Sequence, residues 1–240
     1  MRILVISDIH ANLNALEAVL ADAGEVDATW CLGDVVGYGP DPNECITRLM
    51  ELPSLVCLQG NHDAAAVGEL PLASFNAEAR ASVEWQRDIL TPDSLHFLQD
   101  LRPLVLQDGV TLAHASPRQP VLEYLLDSYA AAENFAFFET NLCFVGHTHV
   151  PVLFFKHGAT VALQIPEVAV TYELEARCIA NPGSVGQPRD RDPRAAYALF
   201  DSQLQTWQYH RVAYDVAAVQ ARMTAAGLPE RHIARLAGGW

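Results

Sequence analysis

From Met1 to Asp63 the chain alternates short apolar runs with helix-patterned segments, and each apolar run ends in a cluster of polar residues. Ile3–Ser7 reads as a buried strand, and Asn12–Ala23 as a helix whose apolar face is Leu13, Leu16, Ala18, Val19 and Leu20. Thr29–Leu32 is a second strand, followed by the turn-rich GDVVGYGPDP, a helix over Asn43–Leu52 and a third strand over Leu55–Leu58. Parallel strands need long crossovers, and a βαβαβ order supplies them, so this half predicts a parallel sheet. Helices near Ser74–Ile89 and Pro92–Asp100 come next.

The second half is richer in strands. Leu104–Leu106 and Val110–Ala113 flank an Asp-Gly hairpin signal. Leu142–Val145, Val152–Phe155, Thr160–Leu163, Val168–Tyr172 and Arg177–Ala180 are further strands, and Ala195–Phe200 with Gln205–Val212 form a second hairpin. Helix is expected to return only over Val216–Leu236. No repeat or linker interrupts the pattern, which predicts one mixed α/β domain over residues 1–240.

The polar clusters all stand immediately after strands: Asp8 and His10, Asp34, Asn61 with His62 and Asp63, His114, and His147 with His149. Five of the nine histidines lie in these places. In α/β sheets ligands bind beyond the carboxyl ends of strands. Imidazole, carboxylate and amide oxygen form a ligand set for Mn, Fe, Zn, Ni or Mg, and a lone carboxylate such as Asp34 can bridge two ions. Asp8 with His10, and His147 with His149, have the spacing that puts alternate residues of an extended chain on one face. Gly33, Gly60 and Gly146 precede these groups and leave room for close backbone approach. Each residue alone has a plainer reading: a helix cap near Asn12, a turn at Asn61, polar strand ends at His147 and His149.

In this order, D-x-H (Asp8–His10), G-D (Gly33–Asp34), G-N-H-D (Gly60–Asp63), a lone His114 and G-H-T-H (Gly146–His149) resemble the calcineurin-like metallophosphoesterase superfamily. GDVVGYGPDP and NPGSVGQPRD are similar to its bacterial phosphodiesterase and diadenosine-tetraphosphatase-like branch. The resemblance implies a four-layer αββα sandwich of two mixed sheets flanked by helices. It implies one metal held by Asp8, His10 and His149, another by Asn61, His114 and His147, and Asp34 between them. His62 would face the substrate phosphate, with Asp63 orienting it and keeping it protonated. Two divalent cations, manganese first, would activate water for attack on phosphorus. Ala115 stands where relatives often have Gly after the histidine, which leaves the ligand itself intact.

The formal net charge of −14 disfavours duplex nucleic acid and anionic membranes as partners. It would also repel a phosphorylated substrate unless bound cations supplied local positive charge. The partner expected is therefore a small phosphorylated molecule, nucleotides included. A protein phosphatase shares the ligand set, but the long segment between Asp63 and His114 reads as a partial cover over the site. A non-catalytic scaffold would be expected to have lost His62 or a ligand. The opening MRILVISD lacks the apolar run of a signal peptide, and the five scattered cysteines read as buried thiols, so the cytoplasm is the expected location. Oligomeric state is not encoded, and a homodimer is compatible with the sequence. His96, His157, His210 and His232 fall outside the motifs and read as surface residues. NPGSVGQPRD reads as a turn packing against the metal loops, with Arg189 and Arg191 as salt-bridged surface cations rather than phosphate contacts. Phe75, Trp85, Tyr124, Phe135, Phe137 and Phe138 read mostly as core, with one or two free to stack a base.

Overall fold

The structure, a computed structural model, describes residues 1–174 and 177–240. In chain order the elements are β1 (Arg2–Ile6), α1 (Leu13–Ala23), β2 (Ala28–Cys31), α2 (Pro42–Met50), β3 (Leu55–Cys57), α3 (Asn61–Ala66), α4 (Ala77–Ile89), α5 (Pro92–Asp100), β4 (Leu104–Gln107) and β5 (Val110–Ala113). Then come α6 (Ser128–Asn134), β6 (Leu142–Phe144), β7 (Val152–His157), β8 (Thr160–Gln164), β9 (Thr171–Glu173), β10 (Arg177–Asn181), β11 (Ala195–Asp201), β12 (Thr206–Val212), α7 (Val216–Ala225) and α8 (Glu230–Gly238).

Two mixed six-stranded sheets pack face to face, one in the order β3-β2-β1-β11-β12-β9 and the other β4-β5-β6-β10-β7-β8. β1, β2 and β3 are parallel, as the alternation predicts, and β5, β6 and β10 are parallel in the second sheet. Because successive side chains point to opposite faces, β1 feeds two cores. Ile3 and Val5 join Trp30, Phe144, Phe200 and Trp207 between the sheets. Leu4 and Ile6 pack instead against apolar residues of α1, α2 and α4. A strand buried on both faces needs a continuous apolar run rather than alternation, which is what RILVI is. On the outer face of the second sheet, Ala131 of α6 packs with Phe135 and Phe138 against Val152, Phe154 and Ile179. The result is the αββα layering expected.

Helix starts follow local chemistry. Asn12 caps α1 by accepting from the Ala15 amide at 3.1 Å, and Thr91 caps α5 ahead of Pro92. Two expectations change. α6 interrupts the strand-rich half; its short Ala-rich turn, capped by Asp127, carries too little periodicity to read from sequence. The C-terminal helix is two helices, α7 and α8, broken before Pro229. G-N-H-D forms the start of a helix, with Asn61 opening α3. All five cysteines are free, and no helix among the described residues is long and apolar enough to cross a membrane.

Candidate metal centre

The carboxyl ends of β1, β2 and β3 in one sheet and of β5 and β6 in the other converge on one space. Asp8 and His10 follow β1, Asp34 follows β2, Asn61 and His62 open α3 after β3, His114 follows β5, and His147 and His149 follow β6. All are buried. Three overlapping groups bring their ligand atoms within 4.8 Å of one another: Asp8–His10–His149, His10–Asp34–His62 and Asp34–His114–His147. The amide oxygen of Asn61 lies 3.2 Å from His114 Nε2.

The backbone here is not extended. Asp8, His10, Asp34, His147 and His149 have φ of 54°, 49°, 54°, 64° and 61°. The shared face expected for an extended D-x-H is therefore replaced by left-handed turns that aim each side chain inward. Such conformations are unfavourable for residues with a Cβ and persist where the surroundings over-determine them. Those surroundings are visible. The Asp8 amide donates to Gly33 O, the His10 amide donates to Asp34 O, and Asp8 Oδ2 accepts from the His147 amide at 3.0 Å. At Gly60, any Cβ would overlap the Asp34 carboxylate, so that approach requires glycine.

Hydrogen bonds set the tautomers. His10 Nδ1 faces Val36 O at 2.9 Å, His114 Nδ1 faces Leu32 O at 2.8 Å, and His149 Nδ1 faces Gln187 O. A carbonyl can only accept, so each Nδ1 carries the proton and each Nε2 presents a bare lone pair to the centre. Asp34 Oδ1 accepts from the His62 amide at 2.8 Å, which leaves Oδ2 at 3.7 Å from His10 Nε2 and 3.6 Å from His114 Nε2. One oxygen thus stands between the two halves of the cluster. Asp8 Oδ1, at 3.3 Å from His149 Nε2, and His147 Nε2 are buried with no hydrogen-bond partner among the described residues.

Burial pushes the Asp8 carboxyl up to about 7, and burial together with the Asp63 carboxylate raises Asp34 well above its ordinary range. Burial foremost drives the imidazoles of His10, His62, His147 and His149 well below theirs. Convergent acceptors with nothing to accept from are costly, and a divalent cation is the group that satisfies them together. The nitrogen and oxygen donors fit Mn, Fe, Zn, Ni or Mg.

Asp63 corrects one expectation. Its two oxygens accept from the Val36 amide at 3.0 Å and the Gly60 amide at 2.9 Å, so they cap α3 and pin the loop after β2. It does not hold the His62 ring, whose Nδ1 is buried without a partner among the described residues. His62 is instead fixed by packing, with ring centroids 4.4 Å from Tyr38 and 4.9 Å from Phe75. Any Cβ at Gly37, where φ is 93°, would overlap this imidazole.

NPGSVGQPRD braces the centre. Asn181 Nδ2 donates to Gly146 O at 2.8 Å, Ser184 Oγ donates to Asp8 O at 2.8 Å, and the Gly186 amide donates to the same carbonyl at 3.0 Å. The structural reading of this loop holds, except at its end. Arg189 has no carboxylate within ion-pair distance among the described residues, and it lines a cavity of about 270 Å³ above the cluster with Asp34, Tyr38, His62, Phe75 and Tyr124. Sequence reasoning placed it on a salt-bridged surface; its only signal was a cation in a Gly/Pro-rich loop of a strongly acidic chain. Ser74, Asn76 and Ala79 from the long segment after Asp63 line the same cavity, so that segment is a partial cover. Phe135 and Phe138 are core, as read, whereas Phe75 and Tyr124 belong to the cavity wall. His232, read as a surface residue, is buried.

A family model described as the calcineurin-like phosphoesterase superfamily domain matches residues 1–204. A metallophosphoesterase from Sphaerobacter thermophilus has a solved structure that is 48% identical, with a TM-score of 0.92 and coverage of 100% of this chain and 99% of that one. An uncharacterised protein of Methanocaldococcus jannaschii is 36% identical over 236 residues, 95% of this chain and 94% of its own. The symmetrical bis(5'-nucleosyl)-tetraphosphatase of Pseudomonas entomophila is 31% identical over 144 residues, 55% of this chain, and the match spans 49% of that protein. The match over most of its length, together with the two-sheet fold and the convergent Asp and His groups, shows that this chain belongs to the calcineurin-like phosphoesterase superfamily.

Proposed function

We propose that the protein is a phosphoesterase dependent on two divalent metal ions, hydrolysing phosphomonoester or phosphodiester bonds of a small substrate, with nucleotides as the leading class. The observation that carries this reading is the set of bare Nε2 lone pairs on His10, His114 and His149 turned toward Asp8 Oδ1 and Asp34 Oδ2. Asp8, His10 and His149 would hold one ion, Asn61, His114 and His147 the other, with Asp34 shared. Manganese is the proposed ion, for a mixed nitrogen and oxygen donor set. When bound, the ions supply nucleophile activation near neutral pH and charge stabilisation on the phosphoryl oxygens.

The remaining work falls to side chains of the chain. The backbone carbonyls behind His10, His114 and His149 keep the Nδ1 protons in place, so the Nε2 atoms stay free to coordinate. His62 faces the cavity and donates to a phosphoryl oxygen or to the departing ester oxygen. Phe75 and Tyr124 give the cavity an aromatic wall, and the Tyr124 ring packs at a 42° tilt with its centroid 4.1 Å from that of His147. That wall suits a planar group carried by the substrate, such as a nucleobase. The nucleotide reading is also supported by the similarity to symmetrical bis(5'-nucleosyl)-tetraphosphatases over about half the chain. The partial cover by the segment around Phe75 favours a small substrate over a phosphoprotein. Five free thiols support a reducing, cytoplasmic location.

The test is hydrolysis of p-nitrophenyl phosphate and its bis ester by protein stripped with EDTA and reloaded with Mn²⁺. Activity should appear only on reloading; full activity in the stripped protein would end the two-metal reading.

A further inference from the structure

Arg189 is the one Lys or Arg on the wall of the metal-centre cavity among the described residues. Other arginines, Arg87 and Arg235 among them, also lack a carboxylate partner among the described residues, but their guanidinium groups are not on the cavity wall, where a cation faces the incoming substrate. The acidic neighbours in the same loop are matched elsewhere: Asp190 pairs with Arg211, and Asp192 with Arg194. Asp190, adjacent in sequence, thus turns away from Arg189 and leaves it free.

The guanidinium is nonetheless held. Nη2 donates to Gln187 Oε1 at 3.0 Å and to Tyr38 Oη at 3.3 Å, and Cζ lies 5.7 Å from the centroid of the Tyr38 ring. Every hydrogen bond recorded for the side chain uses Nη2, while Nε is buried with no acceptor among the described residues. The support is itself anchored. Arg235 of α8 donates to Gln187 Oε1 at 3.1 Å, and His232 packs edge-on to Tyr38 at 4.6 Å. α8 lies beyond residue 204, past the end of the matched family domain, so the support reaches the site from the C-terminal helices.

We infer that Arg189, seated on Tyr38 and Gln187, is an anion-binding subsite for the phosphoryl oxygen that the metals leave uncovered, and that it selects phosphomonoesters over diesters. The inference rests on the two-metal reading above. A preorganised guanidinium on the cavity wall without a carboxylate partner is suited to an incoming anion, and its fork matches phosphate oxygens. A monoester dianion has three terminal oxygens, enough for both metals and for Arg189. A diester has two, and its second ester group would meet the guanidinium instead. Fixing the arginine in advance reduces the ordering cost of binding.

The experiment compares Mn²⁺-loaded wild type with Arg189→Ala, Arg189→Lys and Arg189→Gln. Inorganic phosphate affinity is measured by calorimetry, and kcat/KM on p-nitrophenyl phosphate and on its bis ester. A lost charge-assisted contact corresponds to about 10- to 100-fold. Phosphate binding should weaken by about that factor in Arg189→Ala and Arg189→Gln, with partial recovery in Arg189→Lys, which keeps the charge but not the fork. The ratio of monoester to diester kcat/KM should fall at least about tenfold. Unchanged phosphate affinity, or equal losses on both esters, would overturn the subsite. Should Arg189→Ala fold poorly, Arg189→Gln retains the stem and gives the same reading. The outcomes separate the two proposals: a wild type inert toward both esters that also binds no Mn²⁺ defeats the two-metal reading. An active wild type with indifferent Arg189 variants defeats only the subsite.

Discussion

His10 Nε2 and His149 Nε2 face each other 3.1 Å apart, although 139 residues separate them in sequence. Both rings spend their Nδ1 proton on a backbone carbonyl, Val36 for one and Gln187 for the other. Two lone pairs therefore point at each other, beside the unpartnered Asp8 Oδ1. Neither nitrogen can satisfy the other. A shared cation would relieve the conflict, so metal and folding stability should be linked.

Mn²⁺ should raise the melting temperature of the stripped protein. At a free concentration a hundred times the dissociation constant, the gain is about 2.7 kcal/mol. His149→Ala and Asp34→Asn should lose most of it, and calorimetric titration of metal into each variant checks the result. An equal gain in all three proteins would mean that the ion binds elsewhere.

His62 and Asp63 should separate cleanly. His62→Asn should lower kcat by about 10²- to 10⁴-fold while keeping the Mn²⁺ stabilisation. Asp63→Asn should cost about 1–3 kcal/mol in stability, because it turns one acceptor of the Gly60 and Val36 amides into a buried donor. Its pH–rate profile should keep its shape. A shifted profile would restore the idea that Asp63 governs the His62 proton.

Gly60→Ala tests close approach. The added Cβ would overlap both the Asp34 carboxylate and the Asp34 backbone nitrogen, so the variant should lose stability and bind Mn²⁺ more weakly, by about tenfold or more. Metal titration against the wild type gives the comparison. Gly109→Ala is a suitable control, because its Cβ would meet nothing within 4 Å and only its backbone conformation, φ 79°, resists the change.

His232 sets an acid limb. Burial first, then Arg235, Arg189 and Arg231, lower its pKa from 6.5 to about 4. The unfolded chain therefore binds more protons than the folded one between about 4 and 6.5, so stability falls as pH drops through that window. His232→Gln should flatten this limb by an amount on the order of 2 kcal/mol, read from urea denaturation at pH 7 and pH 4.5. An unchanged slope would place the acid sensitivity in other groups.

Much of the candidate site was legible because its groups sit directly after apolar strands. Asp8, Asp34, Asn61, His114 and His147 could be found by reading where each run of β residues stops. The parallel order of β1, β2 and β3 followed from the helices between them. α6 was not legible, since its stability comes from packing Ala131 under the second sheet rather than from an amphipathic pattern.

By itself, then, the sequence determined the parallel order of β1, β2 and β3, a strand-rich second half and the identity of the groups that meet at the strand ends, because these follow from local patterns of burial and chain reversal, whereas the two-sheet layering was implied by the resemblance its motifs carry. Tertiary structure decided their roles. Only the folded chain turns Asp63 onto backbone amides, gives Asp8 and His10 left-handed turns, and brings Arg189 to Tyr38 across 151 residues. The physical reason is that a side chain's function depends on which acceptors and donors surround it. For Arg189 those are supplied by Tyr38, by Gln187 and, through Gln187, by a helix at the far end of the chain.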